Sequence, residues 1–344
     1  MNRKEFMKFT ASIIGGLSLP FGMESLVNAA NEHDTSLALD VSYLDKGLTA
    51  MARADHWFDA HWGAAVIAGF YLCTENQLDE QTTVAVKNQL DAVIQLRAEQ
   101  FLPFSEESSD ERLIEDIPQA LRPAIEGGLR AHGHAVIFSS LSMKALRDVP
   151  HAAHPTMIRR LCGLSDQISK ISPQSLAGDG APYVDTQAMI EATFDSLSRF
   201  HVVLGRPSVR RPNFTHMVTH TEALLNLEKM GYADLAAMGR LGQKVHINAQ
   251  VPQIDTEIEQ TLTNATLETV MEPDFWIDAD HQDQWSRSWN ATDNRNGDWI
   301  ASGHLFKVLY AFHRLINRIE DKEKEKLCSR ILLERYSNPE VQGG

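Results

Sequence analysis

The chain has 344 residues, a formal net charge of −14 and a sequence pI near 5.4. Its length and apolar content suffice for one large core or two ordinary ones, and the acidic balance argues against nucleic acid and anionic membranes, which proteins meet with basic patches. Three widely spaced cysteines, Cys73, Cys162 and Cys328, form no CxxC pair, so neither a disulfide framework nor a thiolate zinc site is indicated.

Residues 1–30 read as an export signal. MNRKEFMKF is basic, TASIIGGLSLPFGM is weakly apolar, and ESLVNAA ends in small residues. The apolar stretch is too short and too glycine-rich for a membrane span. Arg3-Lys4-Glu5-Phe6-Met7-Lys8 resembles the twin-arginine motif with lysine in place of the second arginine, which implies export in the folded state. A general secretory signal and a cytoplasmic protein with a basic terminus are the alternatives. Cleavage after Ala29 or Ala30 gives a mature chain starting near Asn31, periplasmic or secreted, with no membrane insertion after signal removal.

The remainder, residues 31–344, reads as a single all-helical metal-binding domain. Apolar residues recur at three- and four-residue spacing over 41–53, 56–73, 82–101, 114–146, 155–171, 186–204, 213–230, 232–245, 255–271 and 299–334. Proline and glycine gather between helices, as in SPQSLAGDGAP at 172–182 and RPSVRRPN at 206–213. No GxGxxG follows a strand and no βαβ pattern appears, which argues against a nicotinamide or flavin enzyme.

Fourteen histidines are unusual for this length, and four of them open helices in the same way. FDAHWGAAVIAGFYL places His61 before a small, apolar run; RAHGHAVIFSSLSMK does so with His134, MVTHTEALLNLEKMG with His220 and IASGHLFKVLYAFHR with His304. The separations are 73, 86 and 84 residues, long enough for a few helices per unit. About four such histidine-led repeats, closed into a toroid or barrel-like domain, would deliver one imidazole each to a shared metal site. The bland reading of any single histidine is a polar end-group at a helix start, and only the recurrence favours a site. Imidazole without thiolate points to a catalytic transition metal rather than structural zinc. His216 stands one turn before His220, so both can face one point. His132 is two residues from His134, and His56 reads as a supporting or structural residue.

The blocks HWGAAVIAGFYL, GLRAHGHAVIFSSL, THMVTHTEALLNL and GHLFKVLYAFHRL together resemble the questin oxidase-like proteins, all-helical oxygenases of polyketide and anthraquinone pathways. The resemblance spans residues 56 to 315 and lies in the order of four short blocks. It implies that His61, His134 and His304 stand for family histidines. The first histidine of block two falls at Gly127, leaving His132 or His134 to replace it. In block three the resemblance favours His216 over the repeat's His220, and the block's second position falls near Glu222. Lys307 stands where family members bind non-haem iron with a carboxylated lysine; the bland alternative is a lysine snorkelling from a helix face.

The expected function is an O₂-dependent non-haem iron oxygenase acting on an aromatic or polyketide-like small molecule, with zinc or copper as the alternative metals. Glu222 or Asp59 is the candidate for handling protons. Trp57, Phe58, Trp62, Phe70, Tyr71, Phe138, Trp299, Phe306 and Tyr310 are candidates for a flat apolar pocket, though most read as ordinary core. A zinc-dependent hydrolase or lyase and a non-enzymatic all-α binding protein are the competing readings. The acidic stretch DFWIDADHQDQW at 274–285 reads as a solvated loop.

Overall fold

The computed structural model of the chain describes residues 39–76, 78–175, 183–200, 214–248, 267–277 and 304–337. The export signal, most of the helix expected over 255–271, His281 and Trp299 lie outside the described residues.

Twelve α-helices and no β-strand stand among the described residues. They are α1 (Ser42–Ala52), α2 (His61–Glu75), α3 (Glu80–Leu96), α4 (Asp116–Ile125), α5 (His134–Asp148) and α6 (Pro155–Ser169), followed by α7 (Thr186–Ser198), α8 (Phe214–Lys229), α9 (Ala233–Ile247), α10 (Pro273–Ile277), α11 (His304–Ile316) and α12 (Lys322–Ser337). The protein is all-α, as expected, around one contiguous core from Leu39 to Leu333. No described helix is long and apolar enough to cross a membrane.

Local chemistry sets several helix starts. Asp79 accepts the Thr82 amide at 2.9 Å and Asp185 accepts that of Ala188 at 2.7 Å, each satisfying an amide that α3 or α7 leaves open. His154 caps α6 through Nδ1, with Pro155 at the first helical position. Two long apolar runs are each broken. The run over 114–146 divides into α4 and α5, because Gly127, Gly128 and residues 131–133 take positive φ. The run over 299–334 divides into α11 and α12, where Asp321 accepts the amides of Glu323 and Lys324.

Four helices are buried nearly all round, which marks them as the inner layer. In α2 every residue from His61 to Cys73 is buried, and in α8 every residue from Phe214 to Leu227. These two pack with α5 and α11 as a closed set: α2 on α5, α5 on α8, α8 on α11, and α11 on α2. The other helices cover this set. α1 lies on α2 so closely that a Cβ on Gly63 would fall 2.2 Å from the Gly47 carbonyl oxygen. α3 also covers α2, α4 and α6 cover α5, and α7 and α9 cover α8, with α12 against α7.

The four inner helices run parallel. His61, His134, His216 and His304 meet at their N-terminal ends. Ten residues on from each stand Tyr71, Lys144, Asn226 and Arg314, and these meet again in a second polar layer. There Arg314 Nη1 donates to Asn226 Oδ1 at 2.8 Å and to Glu222 Oε1 at 3.0 Å. Lys144 pairs with Glu75 at 2.6 Å, and the rings of Tyr71 and Tyr310 lie 5.9 Å apart. At a rise of about 1.5 Å per residue, ten residues place this layer roughly 15 Å down the bundle from the histidines.

Candidate metal centre

His61, His134 and His304 are each the first residue of α2, α5 and α11, and His216 lies in the first described turn of α8. Side chains on a helix lean toward its N-terminus, so in a parallel bundle the four rings converge at one mouth. Their ligand nitrogens all lie within 4.8 Å of one another. Around the square, ring centroids are 4.5 Å apart for His61 and His134, 4.6 Å for His134 and His216, 4.9 Å for His216 and His304, and 4.8 Å for His304 and His61. The diagonal from His134 to His304 is 6.2 Å. All four are buried, His61 completely.

The hydrogen bonds fix which nitrogens face inward. His61 Nδ1 donates to the Phe58 carbonyl at 2.5 Å, and His134 Nδ1 donates to the Ala131 carbonyl. A carbonyl only accepts, so each ring carries its proton on Nδ1 and presents a lone pair at Nε2. The His61 Nε2 is buried without a hydrogen-bond partner. His216 Nε2 lies 3.1 Å from His134 Nε2 and 3.0 Å from His304 Nε2. With a lone pair fixed on His134, protons cannot give both contacts full hydrogen bonds. If His216 carries the proton, its single N–H is shared between two acceptors; if His304 carries it, the lone pairs of His216 and His134 face each other. A cation among the nitrogens satisfies every lone pair at once. Metal–nitrogen bonds of about 2.0–2.1 Å put neighbouring ligands about 3.0–3.4 Å apart, which the two Nε2 contacts of His216 match. The residues present therefore fit a metal ion.

Burial, then the nearness of Lys307, His134 and His304, which would repel a second proton, holds the His61 imidazole well below its ordinary pKa. His134 and His216 are lowered well below the ordinary value too, by burial first and by neighbouring charges second. Four converging helix N-termini act in the same direction, since their partial positive charge disfavours imidazolium. The shifts of His61, His134 and His216 favour the neutral ring, the form that binds metal.

The turn before α5 is strained. Ala131, His132 and Gly133 have φ of 43°, 53° and 83°, and each non-glycine residue in that region costs about 1–2 kcal/mol. The turn aims the Ala131 carbonyl at His134 and stacks the His132 ring on His216 at 5.2 Å and 22°. A Cβ on Gly133 would fall 2.7 Å from the His220 ring.

His220 sits outside the square, against Gly133 and 5.5 Å from the His246 ring. His56 is a cap, accepting the Phe58 amide. Lys307, one turn in from His304, is buried with no hydrogen-bond partner on Nζ, and burial holds its amine well below the ordinary lysine range. Its Nζ lies 5.7 Å from the Phe138 ring centroid. Glu222 does not join the histidines and belongs to the second layer with Arg314. Burial raises its pKa to about 7 despite the opposing pull of Arg314. Asp59 is exposed.

Of the aromatic candidates, Trp57 lies 5.1 Å from His134, Phe58 4.7 Å from His61, and Phe138 5.2 Å from His61. Tyr71 and Tyr310 lie down the bundle, Phe306 stacks on Trp276, and Trp62 lies under Arg97. The cysteines take no part in the cluster. Sequence reasoning missed the second polar layer, whose one signal was a polar residue ten positions after each histidine. No family model matches the chain, and neither does any curated protein or solved structure.

Proposed function

We propose that the protein is an O₂-dependent non-haem iron oxygenase of the questin oxidase-like kind, acting on an aromatic or polyketide-like small molecule outside the cytoplasm. The observation that carries this reading is the donor set: four buried imidazoles with no thiolate among them. Structural zinc sites are usually cysteine-rich and closed, whereas imidazole sites suit metals that do chemistry. Iron bound there supplies a redox centre and a Lewis acid for O₂ chemistry.

The chain's own groups do the rest. The Phe58 and Ala131 carbonyls orient His61 and His134, and the surrounding apolar helices keep bulk water from the rings. Trp57 and Phe58, both part-exposed, give a flat substrate apolar faces beside the ligands. Lys307 adds a further role. A neutral amine adds to CO₂ with loss of one N–H proton to solvent, giving a carbamate that turns a buried base into an anionic oxygen donor, and the resemblance puts such a lysine at this position. Its lowered pKa and missing hydrogen-bond partner favour that modification.

The test is elemental analysis of the protein purified from its native host. About one iron per chain is expected, with O₂ consumed when substrate is supplied, and His61→Ala, His134→Ala or His304→Ala should each remove most of it. Zinc in place of iron would move the reading to hydrolysis or elimination. Absence of metal would leave a binding protein. For Lys307→Met, which keeps the apolar stem, loss of metal and of O₂ uptake is expected. Full activity would reduce Lys307 to packing.

A further inference from the structure

Three further histidines continue outward from the square. His132 is exposed, yet its ring stacks on His216. Its ring also runs nearly parallel to that of His246, at 6.5 Å and 29°, and His246 meets His220 at 5.5 Å. Seven of the chain's fourteen histidines thus form one contiguous group reaching from the buried centre to the surface. His246 is bonded to the His132 backbone, while its Nε2 is buried without a partner. Its free nitrogen is therefore an acceptor of the kind His61 and His134 present.

The square itself is buried. His61 has no exposed surface, and His134, His216 and His304 have at most 4%. An ion reaching it must shed its water stepwise, and each lost water needs a replacement donor. The imidazole of His132 supplies such a donor against His216, with His246 beyond it, and at no other edge of the square does an exposed histidine touch a ligand among the described residues.

We propose that His132 and His246 form a metal-entry relay, an outer waypoint that captures a divalent cation and passes it to the four-histidine centre. This rests on the reading of the square as a metal site. The left-handed turn at 131–133 builds the relay, because a regular helical entry would set His132 and His134 on different faces, as residues two apart. His132 takes no place in the final set of ligands. It acts on the rate of loading and not on the final affinity.

That distinction gives the test. Chelator-stripped full-length protein is mixed with Co²⁺, and uptake is followed by visible absorbance in a stopped-flow instrument. His132→Asn is the variant of choice, since asparagine tolerates the left-handed backbone while the imidazole is removed. Loading and release should both slow at least tenfold, while the equilibrium Kd stays within about twofold of wild type, because a waypoint speeds both directions equally. His246→Gln should do the same and serves if His132→Asn fails to fold. Wild-type loading rates in a folded variant would overturn the relay. So would a Kd weakened tenfold with unchanged association, which is the signature of His132 merely holding His216 in place. A wild-type chain that takes up no Co²⁺ would instead overturn the metal reading itself, and the relay with it.

Discussion

His216 and His220 stand one turn apart on α8, and at the scale of single residues the site turns on which of them faces the square. The repeat selects His220 and the family resemblance selects His216; helical spacing alone leaves both open. The bundle separates them through depth. His216, in the first described turn, lies level with the leading residues of α2, α5 and α11, whereas His220 is about 6 Å further down and meets the backbone of Gly133. His216→Ala should therefore strip most of the metal. His220→Ala should keep it while lowering thermal stability, since it opens space beside Gly133 and His246. Metal content and Tm measured on both variants check this, and equal metal loss in both would contradict the placement. His132 could not be placed from sequence at all. Gly133 was the single sign of a left-handed turn, and nothing in Ala131-His132 announces that both share it.

Among the helices, most spans were legible because apolar periodicity follows the core-facing side, and the two long runs that broke did so at glycines or at a capping aspartate. The parallel set of four was not legible, since buried helices are apolar all round and do not reveal their neighbours. Its register lies in the second layer, where Arg314, in the last turn of α11, also answers the negative end of that helix's dipole. Arg314 is only 13% exposed and bonds the 4%-exposed Glu222. Removing one partner of a buried pair typically costs about 3–5 kcal/mol. For Arg314→Met the loss should be larger at pH 8 than at pH 6, because Glu222, with a pKa already raised to about 7, sheds its uncompensated charge by taking a proton. Urea unfolding at the two pH values gives the difference; a pH-independent loss would mean that Glu222 is not the group left unpaired.

The whole molecule couples its stability to protons and to metal through the same rings. Histidines held below their ordinary value of 6.5 bind fewer protons folded than unfolded. Their contribution is thus complete above about pH 6.5 and is lost as pH falls toward their folded values. His61, His132, His134, His216, His220, His246 and His313 all shift in this direction, His220 and His313 to about 4. Glu222 opposes them. Its pKa is raised, so its contribution is present below about 4.5 and is lost as pH rises toward 7. One carboxyl is set against seven imidazoles, and the imidazoles dominate. Each adds up to about 1.4 kcal/mol per pH unit to the slope, so the metal-free protein should destabilise steeply between pH 6.5 and 5. A bound ion stabilises the folded state by mass action. Protons compete for the Nε2 lone pairs only as pH approaches the folded values of the rings, which lie well below 6.5. The gain in Tm on adding metal to chelator-treated protein should therefore persist from pH 7.5 to pH 5.5, although the metal-free protein is already destabilised at the lower value. Calorimetry at both pH values, with and without one equivalent of metal, measures that gain. A gain lost by pH 5.5 would show that the ion is held by groups that titrate in that window and not by these buried imidazoles.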